Sequence, residues 1–302
     1  MTIRSGTMDD MQDQSTDTTG NGDPAAVAAR YGLHRVGTRP HLREYVRQLW
    51  SRRKFISVLA TSKAYARNQN NYLGQLWSVL NPLILAGVYF LVFGLLLDTR
   101  GNIDNFVGFL TIGVFMFGFT SSSLTAGAKS ITGNLSLVRA LHFPRAVLPV
   151  SIALTELATL LPALVVLCGI VLISGETPTW TWLLFPVAVL VQYAFNTGCV
   201  FVAARLVVGA RDLLNVIPMG IRLARYVSGV FFPIAYYVGD NPAGVLLEYQ
   251  PIAVYLELAR QCLLAEAPLD PVLWAWGLGW ALLFLVVGFV VFWQAEERYG
   301  RD

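Results

Sequence analysis

Side chains able to move protons or attack a bond are few and far apart in this chain of 302 residues. Its histidines, His34, His41 and His142, stand beside no plausible nucleophile, and its carboxylates are dispersed apart from the Glu296 and Glu297 pair near the C-terminus. No GxxxxGKS/T phosphate loop, zinc-ligand spacing or GxSxG elbow occurs. Asp9, Asp10, Asp13, Asp17 and Asp23 could hold a cation, but their spacing in a Gly- and Thr-rich stretch fits plain solvation better. Cys168, Cys199 and Cys262 are too widely spaced for a disulfide framework or a zinc site. What remains is charge in costly places. Glu156, Arg222 and Arg225 lie inside long apolar runs, where an unpaired charge costs at least about 2.5–3.5 kcal/mol. Such residues pair with one another or face a water-filled path, so they point to transport rather than to bond making.

Those positions need membrane-crossing helices around them. Of all residues, 55% are hydrophobic and 14% charged, against about 45–50% and about 25% in soluble domains. Residues 76–97 carry no formal charge over 22 positions, long enough at about 1.5 Å per residue to cross a hydrocarbon core of about 30 Å. Further spans are expected at 106–124, 146–173, 182–208, 216–238 and 272–293. The fold class is therefore an all-α polytopic membrane protein with six transmembrane helices. Of 22 Lys and Arg residues, 20 fall on the side of the N-terminus, leaving Arg100 and Arg260 outside. Cytoplasmic flanks collect positive charge, so both termini are expected inside, at the plasma (inner) membrane. Glu156 and Arg225 then each lie ten residues from the inner end of a span, about 15 Å deep. Glu156 is expected to pair with Arg225 or Arg222, or to face an aqueous conduit.

Residues 1–40 read as a disordered acidic tail and linker. Residues 41–66 read as a basic amphipathic interface helix, because Leu42, Tyr45, Val46, Leu49, Ile56, Leu59 and Ala60 recur at helical spacing among Arg43, Arg47, Arg52, Arg53 and Lys54. It is expected along the inner leaflet, with Trp50 and Phe55 at headgroup depth and its cations on anionic lipid. A helix packed on a soluble partner is the alternative. Residues 67–302 form the six-span domain. Between spans five and six, Asn241-Pro242 and Gln250-Pro251 each open an apolar stretch too short to cross. The expectation is a re-entrant helix pair with Glu257 and Arg260 one turn apart on a polar face, or else an ordinary folded outer loop.

Five stretches carry a family resemblance. YLGQLWSVLNPLILAGVYFLVFGLLL (72–97), NLSLVRALHFPRAVLPVS (134–151), ARDLLNVIPMGIRLARYVSGVFFPIAYY (210–237), YQPIAVYLELARQCLL (249–264) and GFVVFWQAEERYGR (288–301) occur in this order. From about residue 41 to the end, the chain resembles the membrane subunits of polysaccharide-exporting ABC transporters of the Wzm and TagG type. Its Arg- and Trp-bearing style is similar to that of galactan-exporting members. The resemblance implies a homodimeric permease with two copies of a separate, Wzt-like ABC ATPase, moving a polyprenyl-diphosphate-linked glycan outward for cell wall biogenesis. It implies no enzyme activity, cofactor or nucleic-acid partner for this chain, since ATP and Mg are bound by the ATPase. It also implies that Leu137, Arg139, Leu141, His142, Phe143, Pro144 and Arg145 form the loop that sits in the ATPase. An apolar knob with a charged rim has the anatomy of a docking patch.

Relatives keep several basic residues just before the first span, where this chain has ARNQNNYLG with Arg67 alone. Arg52, Arg53 and Lys54 are therefore the expected diphosphate contacts. A sugar polymer needs surfaces that bind weakly and repeatedly, which aromatic faces provide. The channel candidates are Tyr89, Phe93, Phe232 and Tyr236 together with Glu156, Arg222 and Arg225. Tyr89 with Phe93, and Phe232 with Tyr236, are four apart and so share helix faces. Pro233 is expected to bend the fifth span near its outer end, and Tyr249, Tyr255, Glu257 and Arg260 are outer-gate candidates. Two other readings stay open: a drug or small-lipid exporter of the same superfamily, and a membrane glycosyltransferase. Clustered acids at a membrane boundary would favour the transferase, and they are missing.

Overall fold

The basic segment before the first span folds as two helices rather than one, α1 (Leu42–Ser51) and α2 (Arg53–Ala66). The Ser51 hydroxyl donates to the Gln48 carbonyl at 2.7 Å, and the Arg52 N–H splits between Gln48 and Leu49. That local competition ends α1 and turns the chain at Arg52. Helix α2 then runs along the third span, burying Ile56 and Ala60. The computed structural model describes residues 40–67, 74–97, 103–141, 143–234, 236 and 242–299. The acidic tail at 1–39, the polar strip at 68–73, His142 and Tyr237 lie outside these.

Among the described residues, five helices are long and apolar enough to cross a membrane. The first, α3 (Trp77–Tyr89), continues as a π-helix, Phe90–Leu96, in which the Leu97 N–H reaches back five residues to Val92 at 2.9 Å. Helix α4 (Phe106–Ala128) starts at Asn105, whose side chain accepts the Gly108 N–H. A short helix α5 (Leu135–Ala140) lies in the following loop and leads to α6 (Val147–Ile173). A 3-10 turn, Trp180–Leu184, opens α7 (Phe185–Gly209). Helices α4 and α7 are mostly buried, whereas α3, α6 and the last helix, α11 (Pro271–Gln294), turn much of their apolar surface outward. Within the bundle α7 and α11 meet backbone to backbone. A Cβ on Gly198 would stand 2.5 Å from the Leu285 nitrogen and nearer still to the Phe284 carbonyl. Glycine at Gly198 and Gly288 lets the two backbones approach this closely.

The fifth expected span is not one continuous helix over 216–238. Helix α8 (Leu213–Val227) covers 15 residues, about 22 Å of rise, and stops. The Ser228 hydroxyl donates to the Ala224 carbonyl at 2.6 Å, Gly229 takes φ +68°, and Pro233 follows. A hydroxyl drawn onto the helix and a left-handed glycine suffice to end it. The segment between α8 and the last long helix contains α9 (Pro242–Glu248) and α10 (Pro251–Leu263), each opened by the expected proline. Yet α10 has no plain polar face at Glu257 and Arg260: it is packed among α4, α7 and α11, with 253–256 and 258–263 buried. Arg260 points inward at 4% exposure.

Candidate functional site

A cavity of about 370 Å³ opens between α3, α4, α6 and α8, and Arg67, Glu156, Arg225, Tyr89, Asn81 and Ser122 are among its lining residues. The equal-depth reasoning brings Glu156 and Arg225 to one cavity, but the expected ion pair between them does not form. Glu156 instead pairs with Arg67 at 2.9 Å. The reason is α2, which runs beside α6 and delivers Arg67 from its C-terminal end to a carboxylate otherwise buried at 4% exposure. Arg225 donates to the Tyr89 hydroxyl at 2.9 Å and stacks 5.0 Å from the Phe117 ring centroid. Arg222 is exposed and donates to Pro218 of its own helix. The lining thus mixes ion-paired charge, the Asn81 amide, hydroxyls and aromatic faces. Such a surface can hydrogen-bond and stack on a polyhydroxylated cargo without a single strong anchor.

The channel aromatics gather around Phe231, another aromatic of the fifth apolar run. Its ring stacks on Phe93 at 4.5 Å between centroids and meets Tyr89 edge-on at 4.5 Å. The break at Gly229 turns Phe231 into this cluster, where it is fully buried. The same break removes the helical spacing of Phe232 and Tyr236, so these two do not share one helix face. Phe232 is half-buried and Tyr236 exposed. The Ser228-Gly229 pair ahead of Pro233 was the sequence signal that could have located the break.

In the loop after α4, Leu137 and Phe143 are half-buried against a second apolar cluster, with the Phe143 ring edge-on to Phe55 at 6.0 Å. Leu141 is exposed, as is Arg139, while Pro144 is buried. Arg145 is not a loose rim charge. Its backbone N–H donates to Glu296 Oε1 at 2.9 Å, and its guanidinium donates to the Glu296 carbonyl. Glu296 Oε2 accepts the Tyr45 hydroxyl at 2.7 Å, and that hydroxyl accepts the Ala146 N–H at 3.0 Å. Burial pushes the Glu296 carboxyl above the usual carboxylate range, against the opposing pull of Arg145 and Tyr45. Burial, and then the Glu296 charge, push the Tyr45 phenol well up. Sequence reasoning left Glu296 as one of two tail acids, since nothing local marks a partner 251 residues away. Trp50, Arg52, Arg53 and Lys54 are exposed, with the Arg53 guanidinium 5.5 Å from the Trp50 ring centroid.

On α10 two gate candidates serve the core. Tyr255 is buried and donates to the Gly277 carbonyl at 2.8 Å. Arg260 lies 3.4 Å from the Phe109 ring centroid and donates to the Gly229 carbonyl at 2.9 Å. It thereby answers a backbone group released where the fifth span breaks. Glu257, partly exposed at 3.5 Å from Arg260, and Tyr249 line a second cavity of about 540 Å³ together with Glu248 and Asp270. The Tyr249 carbonyl accepts the Trp280 indole N–H.

The model of the family described as ABC-2 type transporter matches residues 55–264, from α2 through α10. The O-antigen export system permease protein RfbA of Myxococcus xanthus is 30% identical over 207 residues, which is 68% of this chain and 79% of that protein. A protein of the same description from Klebsiella pneumoniae is 30% identical over 176 residues, 58% of this chain and 67% of the relative.

Proposed function

From the premise that this chain belongs to the ABC-2 type transporter family, we propose that it moves a polyprenyl-diphosphate-linked polysaccharide, galactan being the specific expectation, from the cytoplasm to the outer side of the plasma membrane. The observation that carries this reading is the cavity between α3, α4, α6 and α8, whose Asn81 amide, hydroxyls and aromatic faces suit a polyhydroxylated cargo. The exposed cationic run Arg52, Arg53 and Lys54 beside Trp50 supports a diphosphate headgroup at the inner leaflet. Two copies of the chain form the conduit. The apolar stripe Val216, Met219, Leu223 and Tyr226 on α8 is exposed at helical spacing and supports a protein partner on that face. A sixth crossing is completed by α8 together with the segment after the Gly229 break, and the α9–α10 pair is re-entrant from outside. A separate ABC ATPase, two copies per dimer, binds ATP and Mg and docks on 137–145.

Depletion of the protein tests the reading directly. Lipid-linked glycan should accumulate on the cytoplasmic face while surface polysaccharide falls. A normal surface coat with no internal lipid-linked species after depletion would reject it.

A further inference from the structure

We propose that Glu296 is the positioning residue of the ATPase-docking loop, and that through Tyr45 it joins this loop to α1 and α2, making α2 the rod that carries loop movement to the cavity. The inference rests on reading 137–145 as the docking loop. Both Glu296 carboxylate oxygens are in use, Oε1 on the Arg145 N–H and Oε2 on the Tyr45 hydroxyl. The Ala146 N–H, an otherwise orphan donor at the start of α6, is taken by that same hydroxyl. A carboxylate at a helix N-terminus is also favoured by the helix dipole. A residue from the far end of the chain thus caps the turn through which any push on the loop must pass.

Helix α2 touches the loop through the Phe55–Phe143 ring contact, and Lys63 donates to Asn134, just ahead of α5, at 3.2 Å. Its far end delivers Arg67 to Glu156 in the cavity wall. From Phe55 to Arg67 the rise is about 18 Å, enough to join the Phe143 contact to the cavity wall at Glu156. Apolar packing along α6 at Ile56 and Ala60 keeps α2 from moving alone. The Thr155 hydroxyl adds a hydrogen bond to the Ala60 carbonyl.

The test uses the full-length permease with its ATPase in membranes, with Cys168, Cys199 and Cys262 replaced and Ser122→Cys placed in the cavity wall. A membrane-impermeant methanethiosulfonate reports the cavity, with and without ATP and vanadate. Without further change, ATP and vanadate should alter the labelling rate. In Tyr45→Phe, which leaves the ring packed on Phe289, that change should shrink by about fivefold, while the ATPase still co-purifies. Glu296→Gln should act in the same direction, and Tyr45→Phe carries the test if Glu296→Gln fails to accumulate. Leu141→Asp, on the exposed knob, should strip the ATPase. If Leu141→Asp keeps the ATPase bound, the docking reading falls and this proposal with it. If Leu141→Asp strips the ATPase but Tyr45→Phe responds to nucleotide like the parent, the proposal alone is overturned. Loss of the ATPase from Tyr45→Phe also overturns it, since Tyr45 would then build the docking surface itself.

Discussion

Replacing Gly198 with alanine perturbs the seam between α7 and α11 at a point where no side chain can rotate away. The new Cβ would stand 2.5 Å from the Leu285 nitrogen, and ordinary contact begins at 3.4 Å, so the helices must part by at least about 0.9 Å. The same seam holds the Phe195–Phe284 pair at 5.0 Å and Phe201 against Phe289 and Phe292 at 5.5 and 5.3 Å. A gap of that size forfeits about a quarter to a half of the dispersion energy of facing atoms. Overpacking costs about 1–3 kcal/mol, and rigid backbone on both sides favours the upper end. With about 2–4 °C of melting temperature per kcal/mol at this size, Gly198→Ala should melt roughly 4–12 °C below wild type in detergent. Gly279→Ala on the partner helix α11 is the control, because a Cβ there has nothing within 4 Å. It should melt at or above the wild-type temperature. Gly288 faces Gly198 across the same seam, so the double alanine variant should lose less than the sum of the singles. If Gly198→Ala and Gly279→Ala melt together, the close backbone approach is wrong.

Arg67→Gln should leave Glu156 without its counterion, so the Arg67→Gln/Glu156→Gln double variant should recover stability. Because Arg67 is 43% exposed, the coupling in a melting-based double-mutant cycle should be about 1–2 kcal/mol; strict additivity would refute the pairing. Arg260→Lys loses the planar stack on Phe109 and the bond to the Gly229 carbonyl. It should cost about 2–5 kcal/mol, and a wild-type melting temperature would show that the broken fifth span does not depend on it. Glu296 titrates higher folded than unfolded, so between the two values the native state holds more protons and its stability falls as pH rises. Glu296→Gln should remove that decline from a pH series of melting temperatures, and an unchanged series would refute the burial assigned to this carboxyl.

Elements set by solvent were legible in the chain, and those set by distant contacts were not. Hydropathy located the five long apolar helices among the described residues because lipid acts on each helix by itself. Pro242 and Pro251 marked helix starts through chemistry within one turn. The single helix expected over 41–66 failed at Ser51, whose hydroxyl takes a backbone carbonyl from its own turn. Arg67 read as a lone cation in a neutral strip because its partner lies 89 residues on. Glu156 and Arg225 do line one cavity, but closeness along the sequence pattern does not choose partners, and α2 supplied another cation, Arg67. Arg260 looked like half of a surface pair because sequence spacing reveals a helix face without revealing what covers it.

The two central crossings, α4 and α7, are the least apolar of the five long helices. Helix α4 carries Thr120, Ser121, Ser122, Ser123 and Thr125 toward its C-terminal end, and Gln192 of α7 donates to Thr120 and to the Met116 carbonyl, both at 2.9 Å. A ribosome makes α4 long before α7, so during synthesis the second crossing waits without the neighbour that shields it. Nascent chains halted after Ile173 should still crosslink to the insertion machinery through α4. Chains extended past Gly209 should be released, which makes the timing of translation part of how this bundle closes.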